Sequence, residues 1–206
     1  MRRTLCILIF CALLVPSIAC AVEPLNLSWN LAEEERAKEK KEYVVSTTQE
    51  GWNLLTKKSN WITYQGFELP SSARYLTSFS IDTEVKALRH NGKFGIYLAN
   101  EKVDIVFCIE YNEAALRVGA SGKVNKVSSG TRIAPSFPSK LRMVYDISNN
   151  TIKCYYNEEE VINKNFSDIA NMPNISTIQY AGVVAGTKYD TTNSEYTFKS
   201  FNLKAN

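Results

Sequence analysis

Two carboxylates, Asp82 and Glu84, stand two residues apart in the run Ser80-Ile81-Asp82-Thr83-Glu84. On a strand, that spacing points both side chains to one face. Two carboxyl groups about 5 Å apart are what a retaining glycosidase uses, one as nucleophile and one as acid and base. The same spacing also describes a solvated strand face, so Asp82 and Glu84 are the weaker, catalytic alternative. Asp104 and Glu110 share the polar face of another run, but six residues put them about 20 Å apart along it. Glu158-Glu159-Glu160 reads as an acidic hairpin tip. The single histidine, His90, lies in the turn sequence Arg89-His90-Asn91-Gly92 and is expected to be exposed rather than catalytic. One histidine also excludes a multi-histidine metal site within one chain. No Gly-x-Ser-x-Gly elbow, phosphate loop or dinucleotide fingerprint occurs in the sequence.

Binding chemistry is better represented. Sugar rings stack on Trp and Tyr because their C–H groups meet a negative π-face. Trp61, Tyr64, Tyr97, Tyr111 and Tyr155 lie on or beside strand-like runs. Trp61, Tyr97 and Tyr111, with Arg117 donating to hydroxyls, form the candidate ligand-binding set. Each of these residues would be equally at home in a core or on a plain sheet surface. Asp146 and Asp190 lie in loops that supply oxygen ligands and are the candidates for calcium. Both stretches also suit ordinary turns. No other cofactor is expected.

Alternation of apolar and polar residues sets the elements that must carry these groups. Strands are expected over Trp61–Leu69, Leu76–Leu88, Phe94–Leu98, Val103–Ile109, Leu116–Val118 and Val124–Val127. More follow over Leu141–Tyr145, Ile152–Tyr156, Glu160–Asn163, Ile178–Gly186 and Tyr196–Leu203. Turns are expected at Glu50-Gly51-Trp52, Asn149-Asn150 and Asn157-Glu158, and a helical turn within Phe166–Met172. Strands without long amphipathic helices between them mean an all-β, antiparallel sandwich. Near the start, Asn30 and Glu33 match a helix cap, and the charged run Glu33–Glu42 reads as a short solvated helix. The expected organisation is a charged helical leader or spacer over 22–43 and a β-sandwich over 44–206.

Residues 1–21 read as a secretory signal peptide. Arg2 and Arg3 form a basic start, Leu5–Val15 is apolar, and Ala19-Cys20-Ala21 offers small residues for cleavage. An apolar run of about eleven residues is too short to span a bilayer. Ser17-Ile18-Ala19-Cys20 leaves a second route open, lipidation of Cys20, which would tether the domain to a membrane surface. The expected location is therefore secreted or periplasmic, or membrane-anchored through Cys20. In an oxidising compartment Cys108 and Cys154 could pair, although both lie in strand-like runs that suit buried free thiols. Without Arg2 and Arg3 the chain holds 22 basic and 21 acidic residues. A near-neutral chain gives no case for nucleic-acid binding.

The succession of strand segments resembles the concanavalin A-like lectin/glucanase superfamily. It is carried by YLTSFSIDTEVKAL, GKFGIYLANEKVDIVFCIEYN, KLRMVYDISNNTIKCYYNEEEVINKNF, IQYAGVVAGTKY and YTFKSFNLK. Laminin-G-like domains and bacterial glycan-active domains share this order, and the likeness covers about residues 52–206. It implies a two-sheet jelly-roll β-sandwich. The catalytic strand of family-sixteen glucanases carries Glu-x-Asp-x-Glu or Glu-x-Asp-x-x-Glu. Here Ser80 stands where the first Glu is needed, so the implied nucleophile is missing.

The function expected from these readings is a secreted or surface-tethered, noncatalytic module that binds glycan or another extracellular polymer. A glycoside hydrolase or lyase of the same fold is one alternative. A structural or adhesive envelope protein contacting protein partners is the other, and it would show a large exposed apolar patch.

Overall fold

The computed structural model describes residues 23–57, 62–120, 123–169, 175–187 and 193–206. Residues 1–22, among them Cys20 and the expected signal peptide, lie outside the described residues, as do Trp61 and Asp190. Fifteen strands are described. They are β1 (Leu25–Asn30), β2 (Ala37–Glu39), β3 (Tyr43–Thr48), β4 (Gly51–Thr56) and β5 (Thr63–Glu68). Next come β6 (Ser78–Arg89), β7 (Gly92–Ala99), β8 (Val103–Glu110), β9 (Glu113–Ala120) and β10 (Lys123–Arg132). The chain ends with β11 (Ser139–Asp146), β12 (Thr151–Tyr156), β13 (Glu159–Asn165), β14 (Tyr180–Thr187) and β15 (Ser194–Ala205). Two short 3-10 turns, Ser71–Tyr75 and Phe166–Asp168, are the helical elements among them.

The strands form two antiparallel sheets. One has nine strands in the order β13-β12-β11-β6-β15-β4-β3-β2, with β1 also paired to β15. The other has six, in the order β10-β9-β8-β7-β14-β5. Strand β15 holds the larger sheet together. Its first half pairs with β4 and its second half with β1, while β6 runs along its other edge. A bulge between Phe198 and Ser200 shifts the alternation, so Tyr196, Phe198, Phe201 and Leu203 all reach the core.

The core lies between the sheets. Phe79, Ile81, Leu141, Met143 and Tyr145 come from the larger sheet; Phe94, Ile96, Ile105, Phe107, Leu116 and Val183 come from the smaller. These are the residues that alternation assigns to one face. The hairpin between β12 and β13 turns on Asn157 and Glu158, with φ of 47° and 74°. Two positive φ values make the two-residue turn whose twist suits a hairpin, and Asn tolerates that conformation without glycine.

The charged stretch after Asn30 is not a helix. The two residues do bond, though not as a capping box: Asn30 Nδ2 donates to Glu33 Oε1 at 2.8 Å and Glu33 N–H donates to the Asn30 carbonyl at 2.9 Å. They close a turn and go no further, because the run has no apolar stripe to dock a helix. The stretch just before it does have a docking face. Leu25, Leu27 and Trp29 alternate on β1 and pack on the core, and Leu31 is fully buried. Trp29 stacks on Phe67 at 4.2 Å. The sandwich therefore takes in the segment expected as a leader, through β1, β2 and the start of β3. Cys108 and Cys154 are both free and buried, one on the smaller sheet and one in the core-facing row of the larger, so the disulfide left open by the sequence is not made.

Leu31→Ala is expected to lower stability by about 2–5 kcal/mol, the cost of a cavity at a closed core position. Urea unfolding followed by tryptophan fluorescence measures it. An unchanged midpoint would return this segment to the role of a spacer.

Candidate functional site

The side of the six-stranded sheet that faces away from the core is built in rows. Pairing places Tyr97, Val106, Arg117 and Lys126 in one row. The next holds Tyr64, Val184, Gly95, Cys108 and Ala115, and the one after it Lys93, Glu110 and Glu113. An outward face of an antiparallel sheet is normally solvated. This one is closed. Lys93 is 1% exposed, Asp104 4%, Arg117 7% and Glu110 9%, and these four are all the buried charged side chains among the described residues.

Small residues explain how the charges pack. Arg117 and Glu110 start two rows apart, with Cys108 and Ala115 paired between them. Their arms lie flat over that small floor and meet. Arg117 donates through Nε to Glu110 Oε1 at 2.6 Å and through Nη2 to Oε2 at 3.0 Å, a bidentate pair. Lys93 Nζ stands 3.4 Å from Glu110 Oε1. The Cys108 thiol points at the same carboxylate, 3.5 Å away. Burial by itself would raise the Glu110 carboxyl. The Arg117 hydrogen bonds and the Lys93 charge outweigh it and hold the group at about 2, against a usual 4.5. Burial pushes Lys93 down to about 8, against the pull of Glu110, and it pushes the Cys108 thiol up, so that thiol is inert.

Aromatic rings occupy the other end of the face. Tyr64 and Tyr97 meet edge to face at 5.1 Å. Burial, and after it the charge of Asp104, pushes both phenols above their usual range. The rim is more open: Tyr64, Tyr180 and Glu113 are half-buried and Lys126 is exposed. Lys126 pairs with Glu113 at 2.7 Å.

Of the residues singled out in the sequence, the structure brings Tyr97, Arg117 and Tyr64 together on this face. Tyr111 lies in the turn after β8 with φ of 56°, and its carbonyl contacts His90 Nε2 at 2.9 Å. His90 is not exposed as its turn sequence suggested. It is half-buried against Phe94, Phe137 and Tyr196, with Nδ1 2.8 Å from the Tyr196 hydroxyl. Asp146 binds its own turn through the backbone and side chain of Asn149, at 3.0 and 2.7 Å. No group of three metal-ligating His, Cys, Asp or Glu side chains occurs among the described residues. Sequence reasoning missed Lys93. Its signal was the polar position of β7 that pairing sets opposite Glu110.

Asp82 and Glu84 lie on the opposite side of the molecule. They line a cavity of about 490 Å³ on the outer face of the larger sheet, with Arg142, Tyr155, Lys140, Ser200 and Asn202. Both are already engaged: Asn202 donates to Asp82 at 2.8 Å and Lys199 pairs with Glu84 at 2.7 Å. Arg142 stacks on Tyr155 at 4.1 Å, so the guanidinium covers one face of that ring.

No protein-family model matches the sequence, and no curated protein matches it. Solved structures do resemble the fold. A carbohydrate-binding module, CBM66 from Bacillus subtilis, superposes with a TM-score of 0.51 at 10% identity, over 75% of this chain and 87% of the module. The Crh5 transglycosylase in complex with NAG gives 0.55 at 10% identity, over 87% of this chain and 83% of the enzyme. A sialidase gives 0.55 at 11% identity over 81% of this chain, which spans only 16% of the sialidase's length. At these identities the likeness shows the fold, an antiparallel jelly-roll β-sandwich in keeping with the concanavalin A-like resemblance.

Glu110→Gln leaves two buried cations without their carboxylate and is expected to cost about 3–5 kcal/mol near neutral pH. A depressed carboxyl contributes stability above its unfolded value and loses it as the proton binds. The difference from wild type should therefore shrink as pH falls from 4.5 towards about 2. Urea unfolding at a series of pH values checks this; a constant difference across that window would refute it.

Proposed function

We propose that this chain is a noncatalytic glycan-binding module whose site is the outer face of the six-stranded sheet. The observation that carries the reading is the gathering of all four buried charged residues of the described chain on that one face. Taking charges out of water costs several kcal/mol per ion, and a fold gains little net stability from such pairs. The main core is on the other side of the sheet, and this face adds a smaller apolar cluster that includes Tyr97, Val106 and Val184. Perturbed charges held in fixed geometry beside aromatic rings are what a ligand site requires. A locked guanidinium–carboxylate pair offers oriented donors and acceptors to ring hydroxyls, and the half-buried Tyr64 and Tyr180 offer stacking faces, with Tyr97 packed beneath them. The printed names of similar folds, a carbohydrate-binding module and a transglycosylase, are in keeping with a sugar ligand. Export directed by residues 1–21, with release by cleavage after Ala21 or tethering by lipidation of Cys20, belongs to the same proposal.

A hydrolase remains the second reading, because the cavity on the larger sheet does bring Asp82 and Glu84 to one place. The protein-contacting reading has less support. Its large apolar patch is not seen among the described residues, where the exposed large hydrophobics are Tyr75 and Leu88.

Retention of the purified chain on a panel of insoluble polysaccharides, with release of reducing ends recorded, tests the proposal. Arg117→Lys keeps the charge beside Glu110 and loses the planar fork. It is expected to weaken retention about tenfold, the loss of about 1.4 kcal/mol. Release of reducing ends that disappears in Asp82→Asn would replace the binding reading with the hydrolase.

A further inference from the structure

We infer that the cavity on the larger sheet is a second binding site, separate from the face of the smaller sheet, and that it takes adjacent hydroxyls of a neutral sugar. Pairing across β12, β11, β6, β15 and β1 sets Tyr155, Arg142, Asp82, Asn202 and Ser28 in one row on the outer face. From one end of the row, Ser28 donates to Asn202 Oδ1 at 2.6 Å, and Asn202 Nδ2 donates to Asp82 Oδ1 at 2.8 Å. From the other end, Arg142 lays its guanidinium on the Tyr155 ring, 4.1 Å from the centre. The two runs stop at Asp82 and Arg142, which are direct cross-strand partners. Opposite charges so placed, with Cβ atoms about 5 Å apart, attract each other. Here each is bonded away from the other, and among the described residues neither is held in an ion pair.

Both side chains line the cavity of about 490 Å³. That volume falls within the range of small-ligand pockets, about 300–1,000 Å³. The other charges of the wall are matched: Glu84 pairs with Lys199 at 2.7 Å and Lys140 with Glu158 at 3.6 Å. An anion entering here would meet the carboxylates of Asp82 and Glu84, and a cation would meet Arg142 and Lys140. A neutral group that both gives and takes hydrogen bonds suits the place better. An ionised carboxylate only accepts and a guanidinium only donates. Two adjacent hydroxyls, each able to do both, bridge Asp82 to Arg142. The stack on Tyr155 holds the guanidinium fork before the ligand arrives, which lowers the ordering cost of binding.

Glucose, galactose, mannose and xylose are titrated in turn into the purified chain, and the side-chain N–H resonances of Arg142, Asn202 and Arg117 are followed by NMR. At least one sugar is expected to shift the Arg142 and Asn202 signals saturably. Arg142→Lys keeps the charge and loses the planar fork; Asp82→Asn keeps the shape and loses the charge. Each is expected to weaken that binding about tenfold, with thermal unfolding confirming the fold. Unchanged affinity in both variants would overturn the inference. So would shifts produced by free glycine, a zwitterion, and by none of the sugars. Shifts confined to Arg117 would support the site on the smaller sheet and overturn the second one. The two arginines report on opposite sheets, so failure of this inference and failure of the glycan face proposed above are read separately.

Discussion

A carboxylate taken out of water must be met by cations, and Glu110 is met by two. Its bidentate bond with Arg117 and its contact with Lys93 tie together β7, β8 and β9, the centre of the smaller sheet. That sheet is unusual in being closed on both faces. One face belongs to the core, where Phe94, Ile96, Ile105 and Phe107 interdigitate with the larger sheet. The other is closed by a second apolar cluster, with Tyr97, Val106, Cys108, Val124 and Val184, and by the buried charges beside it. Once the second face is closed, every charge on it must find an opposite charge or a hydrogen bond. The rest of the face follows from that requirement.

Small residues make the arrangement geometrically workable. Gly95, Cys108 and Ala115 form one continuous row across β7, β8 and β9. A Cβ on Gly95 would come within 2.7 Å of the Cys108 side chain. Larger residues in this row would lift the Arg117 and Glu110 arms off the sheet and separate them. Cys108 thus has a packing role, as a small residue beneath the ion pair.

The two sheets divide their outer faces differently. The larger sheet presents paired but solvated charges around a shallow polar cavity, with Asp82 and Glu84 held by Asn202 and Lys199. Surface pairs of that kind contribute little energy. The smaller sheet withdraws its charges from solvent, where each interaction is stronger and its loss more costly. That contrast, rather than the carboxylate spacing that first drew notice, separates the two faces as candidate sites.

Period-two alternation determined the strands from β5 onward, the hairpin at Asn157-Glu158 and the sandwich class, because a half-buried strand must alternate. It did not reveal β1 to β4. There a charged run with cap residues masked a short alternating stretch, and only the partner strands β15 and β3 decide that this stretch belongs to a sheet. Asn30 and Glu33 bond each other in a turn rather than as a helix cap, and tertiary pairing draws the flanking residues into strands. Tyr97 and Arg117 could be singled out from residue type alone. The meeting of Arg117 with Glu110 and Lys93 could not, since it depends on which strands neighbour one another and in what register. His90 shows the same limit, for the turn around it is local while two of the aromatic residues packed on it, Phe137 and Tyr196, are distant in sequence. Sequence sets which face of a strand a side chain takes; tertiary structure decides what lies across from it and whether water can reach it.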